Sequence, residues 1–142
     1  MSVDIILDTD ALLWMSQGSV RLGKKAQVTI EKAIQGGKVR FSPISMLEVA
    51  RLHWDGRIDL RRVPEVWYRE LLDRGVREVP VTTDIAILAA SLEPQEGFHA
   101  DPADQMIVAS AIVTGLKLVT SDRKILGWAS QRTGIACLDA RK

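Results

Sequence analysis

Four carboxylates in four separate segments carry the chemistry open to this sequence: Asp8, Glu48, Asp104 and Asp122. Asp8 follows the apolar run Ile5-Ile6-Leu7. Asp122 follows Leu118-Val119, separated only by Thr120 and Ser121. Glu48 lies between Met46-Leu47 and Val49-Ala50, where a carboxylate is costly unless it is paired or bound to a metal. Asp104 sits in the first turn of a helix opened by Asp101-Pro102. Each acid also has an ordinary reading. Asp8 and Asp122 suit helix N-caps, and so does Asp101, with Pro102 at the first helical position. The helix dipole favours an acid in a first turn, as at Asp104. Glu48 fits the exposed face of an amphipathic helix. Brought to one place, four carboxylates would repel and could not all ionise without a cation. Oxygen-only ligands favour Mg²⁺ or Mn²⁺. Such a centre can polarise a phosphoryl oxygen and lower the pKa of water, so the chemistry implied is hydrolysis of a phosphate ester.

The elements that must position these acids alternate along the chain. Val3 to Leu7 is a short unbroken apolar run ended by polar residues, the signature of a buried strand in a parallel sheet. A helix follows from Ala11, with Asp10 as a possible N-cap and Gly18 as its stop. Leu22 to Gln35 reads as an amphipathic helix ended by Gly36-Gly37. Lys38 to Ser42 is a strand, and Pro43 and Ser45 open a helix closed by Gly56. A helix runs from Glu65 to Arg74. Val76 to Val81 is a strand, and Thr82 or Thr83 caps a helix over Ile85 to Leu92. Pro94 to Asp101 reads as a loop, Ala103 to Thr114 as a helix, Lys117 to Val119 as a strand and Ile135 to Leu138 as a last strand. This alternation predicts an α/β fold: a central, mainly parallel sheet of about five short strands with helices on both faces. Ligands of such sheets bind at the carboxyl ends of the strands, where Asp8 and Asp122 fall.

The 142 residues suit one domain spanning 1–142, long enough to bury about two-thirds of its unfolded surface. With 46% hydrophobic and 26% charged residues, disordered and fibrous classes are excluded. The single cysteine, Cys137, excludes an internal disulfide and a cysteine-based zinc cluster. No apolar run reaches the length of a membrane span. Met1-Ser2-Val3-Asp4 does not open a signal peptide, so a cytoplasmic location is expected. The net charge of +1 is not that of an obvious nucleic-acid binder. Setting the four acids aside leaves 14 acidic against 19 basic residues, a shell of +5 around an acidic pocket.

Four segments, in order, resemble the PIN-domain ribonucleases, and among them the VapC-type toxins of prokaryotic toxin–antitoxin pairs. Leu7-Asp8-Thr9-Asp10-Ala11-Leu12-Leu13-Trp14 is similar to the family's opening DTHxLLW. Ser42 to Ala50 is similar to its SxxSxxEIA helix, Asp101 to Ala111 to its DPxDRxLxAxA helix, and Leu118 to Asp122 to its LxTxD strand end. The resemblance implies a PIN-like fold and an acidic quartet of Asp8, Glu48, Asp104 and Asp122 holding Mg²⁺ or Mn²⁺. Asp101 is then an auxiliary acid, and Thr120 or Ser121 orients the attacking water. The implied activity is metal-dependent endoribonuclease cleavage leaving a 5′-phosphate and a 3′-hydroxyl. The implied partners are RNA, a second copy of the chain and a small VapB-type antitoxin. Two positions depart from the pattern: Asp10 stands where the family often has His, and Gln105 where it often has Arg. Asp10 reads as a helix cap, with a second ion as the alternative. Loss of the cation at position 105 could weaken activity. His53 and His99 read as surface or cap residues.

Other readings stay open at this point. Asp8-Thr9-Asp10 with Val119-Thr120-Ser121 also looks like a haloacid-dehalogenase phosphatase, with Asp8 as nucleophile. That reading leaves Glu48 and Asp104 idle and lacks the later lysine and acidic pair. A non-catalytic module that binds RNA or protein is the second alternative. Trp14, Trp54 and Trp67 are either core or interface residues. Arg51 to Arg77 carries seven arginines against five acids, either a patch facing RNA or antitoxin or a solvated face.

Overall fold

The computed structural model describes residues 3–142. Met1 and Ser2, on which the reading of the N-terminus partly rests, lie outside them. Five strands, β1 (Ile5–Leu7), β2 (Val39–Phe41), β3 (Arg77–Glu78), β4 (Lys117–Thr120) and β5 (Cys137–Asp139), form one sheet in the order β3-β2-β1-β4-β5. Every pairing is parallel. The helices are α1 (Thr9–Gln17), α2 (Lys24–Gln35), α3 (Pro43–Trp54), α4 (Pro64–Asp73), α5 (Thr83–Glu96), α6 (Pro102–Thr114) and α7 (Arg123–Ala129).

The apolar run of β1 is continuous because both of its faces are covered. Ile5 and Leu7 point to one side with Val39, Phe41, Val119 and Leu138, under α1 to α4. Ile6 and Leu118 point to the other, against Ile85, Leu92, Ile107, Val108 and Ile125 of α5, α6 and α7. Trp14 and Trp67 are core residues, while Trp54 is 67% exposed. Among the described residues no helix is long and apolar enough to cross a membrane.

The strand order positions the site. The chain runs outward from β1 through β2 to β3, then returns to the other side of β1 as β4. The direction of winding therefore reverses between β1 and β4, and the helices after each fall on opposite faces. Leu7 pairs with Val119 in register, so the residues that follow these two strands emerge side by side.

Several boundaries differ from the sequence expectations. Helix α1 begins at Thr9, because the Asp8 side chain accepts from the Ala11 N–H at 2.9 Å and takes the cap position read for Asp10. Helix α2 starts at Lys24 rather than Leu22. Gly23 is used there to donate its N–H to the Ala140 carbonyl at 2.8 Å. Helix α5 continues through Pro94 to Glu96, where a loop was expected. Pro94 lies in the last turn, and the carbonyl it leaves unpaired, on Ala90, belongs to an exposed residue that water can reach. Helix α7 was not anticipated: it has seven residues with Gly127 among them, too few for a periodic signal. Strand β3 pairs over only two residues at the sheet edge, and β5 lies at Cys137–Asp139 rather than starting at Ile135.

Candidate active site

Asp8 leaves the end of β1 with extended backbone and caps α1. Its side chain is 7% exposed, which is unusual for a carboxylate. One oxygen accepts from the Ala11 N–H; the other accepts from the Thr120 hydroxyl at the end of β4. Burial pushes its pKa up to about 7, against the pull of those two donors, and Asp10 and Asp104 push the same way.

Asp122 caps α7, accepting from the N–H groups of Lys124 at 2.8 Å and Ile125 at 3.1 Å. Thr120 is fully buried; its hydroxyl accepts from the Asp122 N–H at 3.1 Å and spends its one proton on Asp8. Thr120 therefore holds Asp8 and has no proton left to orient a water. Of the two hydroxyls read for that role, Ser121 lines a cavity and donates to Asp10 Oδ2 at 3.5 Å, a contact long enough to yield to a water.

Glu48 reaches the site from α3, half-buried. The Thr9 hydroxyl donates to its Oε1 and lies 3.0 Å from the Ser45 hydroxyl. One proton cannot serve both, so the carboxylate takes it and Ser45, fully buried, donates to Thr9. Burial raises the Glu48 pKa, Thr9 opposes this, and the charges of Asp104, Asp101 and Asp10 add to the rise.

Asp104 is the third residue of α6, and Asp101 is its cap, accepting from the Asp104 N–H at 3.1 Å. Burial raises the Asp104 pKa, the hydrogen bond to His99 lowers it, and Asp101 and Asp122 raise it again. His99 Nε2 lies 2.7 Å from Asp104 Oδ2.

Two adjoining cavities share Asp10, Asp104 and Asp122 in their walls. The larger, about 610 Å³, also meets His99, Asp101 and Ser121, with Arg123, Lys124 and Arg141 on its rim. The smaller, about 380 Å³, meets Asp8, Thr9 and Glu48, with Arg51 and Arg57 on its rim. All four acids of the expected quartet thus face connected space at the carboxyl ends of β1 and β4. The caps and the site are the same residues at Asp8 and Asp122, so the two readings of those acids do not exclude each other. Glu48 and Asp104, idle in a haloacid-dehalogenase scheme, share the smaller cavity with Asp8.

His99 and Asp10 enter the site against expectation. His99, read as a surface or cap residue, contacts Asp104, and ligand atoms of His99, Asp104 and Asp122 lie within 4.8 Å of one another. Asp10, read as a cap, faces both cavities, because Asp8 holds the cap position. The position of His99 two residues before Asp101-Pro102, in the loop entering α6, was the available signal; a loop carries no periodicity to mark it. The donor set fits a hard divalent cation: oxygens dominate, and hydroxyls already fix Asp8 and Glu48 in place.

Comparison with known proteins bears on the family and the fold. A family model for the PIN domain matches residues 5–127. Over 121 residues the chain is 35% identical to Ribonuclease VapC22 of Mycobacterium tuberculosis, covering 85% of this chain and 88% of that protein. Solved structures share the fold at lower identity. One is VapBC2 from Rickettsia felis bound to a DNA fragment from their promoter, at TM-score 0.70 and 14% identity over 94% of this chain and 96% of that one. Another is FitAcB from Neisseria gonorrhoeae, at TM-score 0.63 and 21% identity over 96% and 97%. With the matched segment running from β1 into α7 and taking in every acid of the site, the chain belongs to the PIN domain family.

Proposed function

We propose that this protein is a metal-dependent endoribonuclease and the toxin of a VapBC-type pair, with Asp8, Glu48, Asp104 and Asp122 as ligands of Mg²⁺ or Mn²⁺ and Asp101 as an auxiliary acid. The observation that carries this reading is the convergence of a buried Asp8 with acids from α3, α6 and the end of β4 at the reversal point of the sheet. A bound divalent cation supplies charge to polarise the scissile phosphate and to lower the pKa of water. The protein's own groups do the rest. Thr120 and the α1 N-terminus hold Asp8, Thr9 holds Glu48, and Ser121 stands in the larger cavity to orient a water. Arg51 and Arg57 on one rim, and Arg123, Lys124 and Arg141 on the other, supply cations for the phosphates on either side of the cut. Within the Arg51 to Arg77 patch, Arg51 and Arg57 line this space.

The same reading takes residues 1–142 as one domain, supported by two apolar clusters that share a single sheet. It places the protein in the cytoplasm as a homodimer that binds a small VapB-type antitoxin. The similarity to Ribonuclease VapC22 and the fold shared with VapBC complexes support those partners.

The test is incubation of structured RNA with the protein and Mg²⁺ or Mn²⁺, beside EDTA and Asp8→Asn controls. Cleavage that requires the metal and is lost in the variant is expected. RNA left equally intact by wild type and variant would make the protein a binding module. Cleavage surviving the substitution would point to a contaminant.

A further inference from the structure

His99 is the imidazole of the site, and neither the acidic quartet nor the capping pattern accounts for it. Two contacts bear on its ring and a third on its backbone. Below, the ring stacks on Phe98 with centroids 4.1 Å apart and planes inclined by 28°. Phe98 is itself 3% exposed and wedged edge-on against Trp128 at 5.0 Å. Behind, the Gln105 side-chain amide donates to the His99 carbonyl at 3.0 Å and ties the loop to α6. In front, Nε2 meets Asp104 Oδ2 at 2.7 Å. The stack on Phe98 sets the ring plane without Asp104, and the Gln105 contact holds the backbone that carries the ring. The hydrogen bond therefore imposes a direction on the carboxylate rather than following it.

We propose that His99 is a positioning residue for Asp104. It holds Oδ2, leaves Oδ1 for the cation, and fixes the carboxylate rotamer against the repulsion of Asp101 and Asp122. The inference rests on the metal-site reading above. With Asp104 ionised, the ring carries its proton on Nε2 and donates. Hydrogen bonds to ligating carboxylates fix their orientation in this way, and their loss costs about ten- to a hundredfold in metal affinity. Gln105 acquires a role in the same scheme: where the family often has a cation, this chain has an amide that anchors the histidine loop.

The experiment measures Mn²⁺ affinity by electron paramagnetic resonance and calorimetry on the purified protein, without RNA. His99→Phe keeps an aromatic ring on Phe98 and removes the donor. His99→Gln restores an N–H at similar reach. His99→Phe is expected to weaken Mn²⁺ binding about tenfold or more at an unchanged melting temperature in EDTA, and His99→Gln to recover most of the loss. Gln105→Leu is expected to give a smaller loss. His99→Phe binding within twofold of wild type would overturn the proposal while Asp104→Asn, bound far more weakly, kept the metal site. Equal binding by wild type, Asp104→Asn and His99→Phe would overturn the metal site and the proposal with it. Nitrogen hyperfine coupling on bound Mn²⁺ that vanished in His99→Phe would make His99 a ligand instead, and would also overturn the positioning role.

Discussion

Replacing Asp8 by Asn should stabilise the metal-free protein while abolishing its metal site. A carboxyl whose pKa rises from 3.8 unfolded to about 7 folded weakens the fold once the pH passes the unfolded value, because the unfolded chain then ionises freely and the folded one does not. The folded state then binds more protons than the unfolded state, so this group's contribution to stability is full below about pH 4 and is lost as the pH climbs through 7. At 1.36 kcal/mol per unit, the cost at pH 8 is about 4 kcal/mol, and at pH 5 between about 1 and 2 kcal/mol. Asn carries no such cost. Its carbonyl still accepts from the Ala11 N–H, and its amide can donate to the Thr120 hydroxyl. The Thr120 proton loses its acceptor, which takes back about 1 kcal/mol. The net gain is about 3 kcal/mol at pH 8 and under about 1 kcal/mol at pH 5. For a chain of this size that is on the order of 10 °C in melting temperature at the higher pH. The assay is thermal unfolding by circular dichroism in EDTA at both pH values, repeated with Mn²⁺ in excess. Mn²⁺ at about a hundred times its dissociation constant should add about 2.7 kcal/mol to wild type and nothing to the variant, closing the gap. An Asp8→Asn protein that melts at or below wild type in EDTA at pH 8 would refute the claim that Asp8 is held charged at a desolvation cost.

Further expectations concern the supports of the site and the fold. Thr120→Val removes the hydroxyl that favours ionised Asp8, so the pH midpoint of Mn²⁺ binding should move up by about one unit; an unchanged or lowered midpoint would contradict the assigned hydrogen bond. Arg51→Ala with Arg57→Ala should weaken RNA binding and flatten its salt dependence by about 0.7 per lost phosphate contact, read from titrations at several salt concentrations; a slope equal to wild type would move the RNA path elsewhere. Gly23→Ala should cost about 1–3 kcal/mol in urea unfolding, because a Cβ there would lie 2.2 Å from the Lys142 carbonyl carbon, and trimming the chain after Asp139 should remove most of that penalty.

Much of this arrangement was legible because it rests on patterns that sequence carries well. Unbroken runs such as Ile5-Ile6-Leu7 and Leu118-Val119 announce strands buried on both faces, and Asp8 directly behind the first and Asp122 three residues after Val119 mark the ligand edge. What stayed illegible depends on exclusion and on distance. Asp10 and Asp8 are both fit caps for α1, and only the backbone turn after Leu7 decides between them. Thr120 and Ser121 look alike as hydroxyls, yet one is spent on Asp8 and the other opens to a cavity. His99 gained its role from a stack on Phe98 and a contact across five residues, neither of which has a period. Helix α7 is fixed by its cap and by burial of Ile125 and Ala129 rather than by an amphipathic repeat.

The chemistry of the cut ends tests the central claim most directly. Purified wild-type protein and its Glu48→Gln and Asp104→Asn variants are incubated with a labelled structured RNA in Mn²⁺, and the product termini are mapped. Attack by water at the acidic cluster should give 5′-phosphate and 3′-hydroxyl ends from wild type alone, and none in EDTA. Ends carrying a 2′,3′-cyclic phosphate and a 5′-hydroxyl, or products that persist in both variants, would contradict hydrolysis at Asp8, Glu48, Asp104 and Asp122.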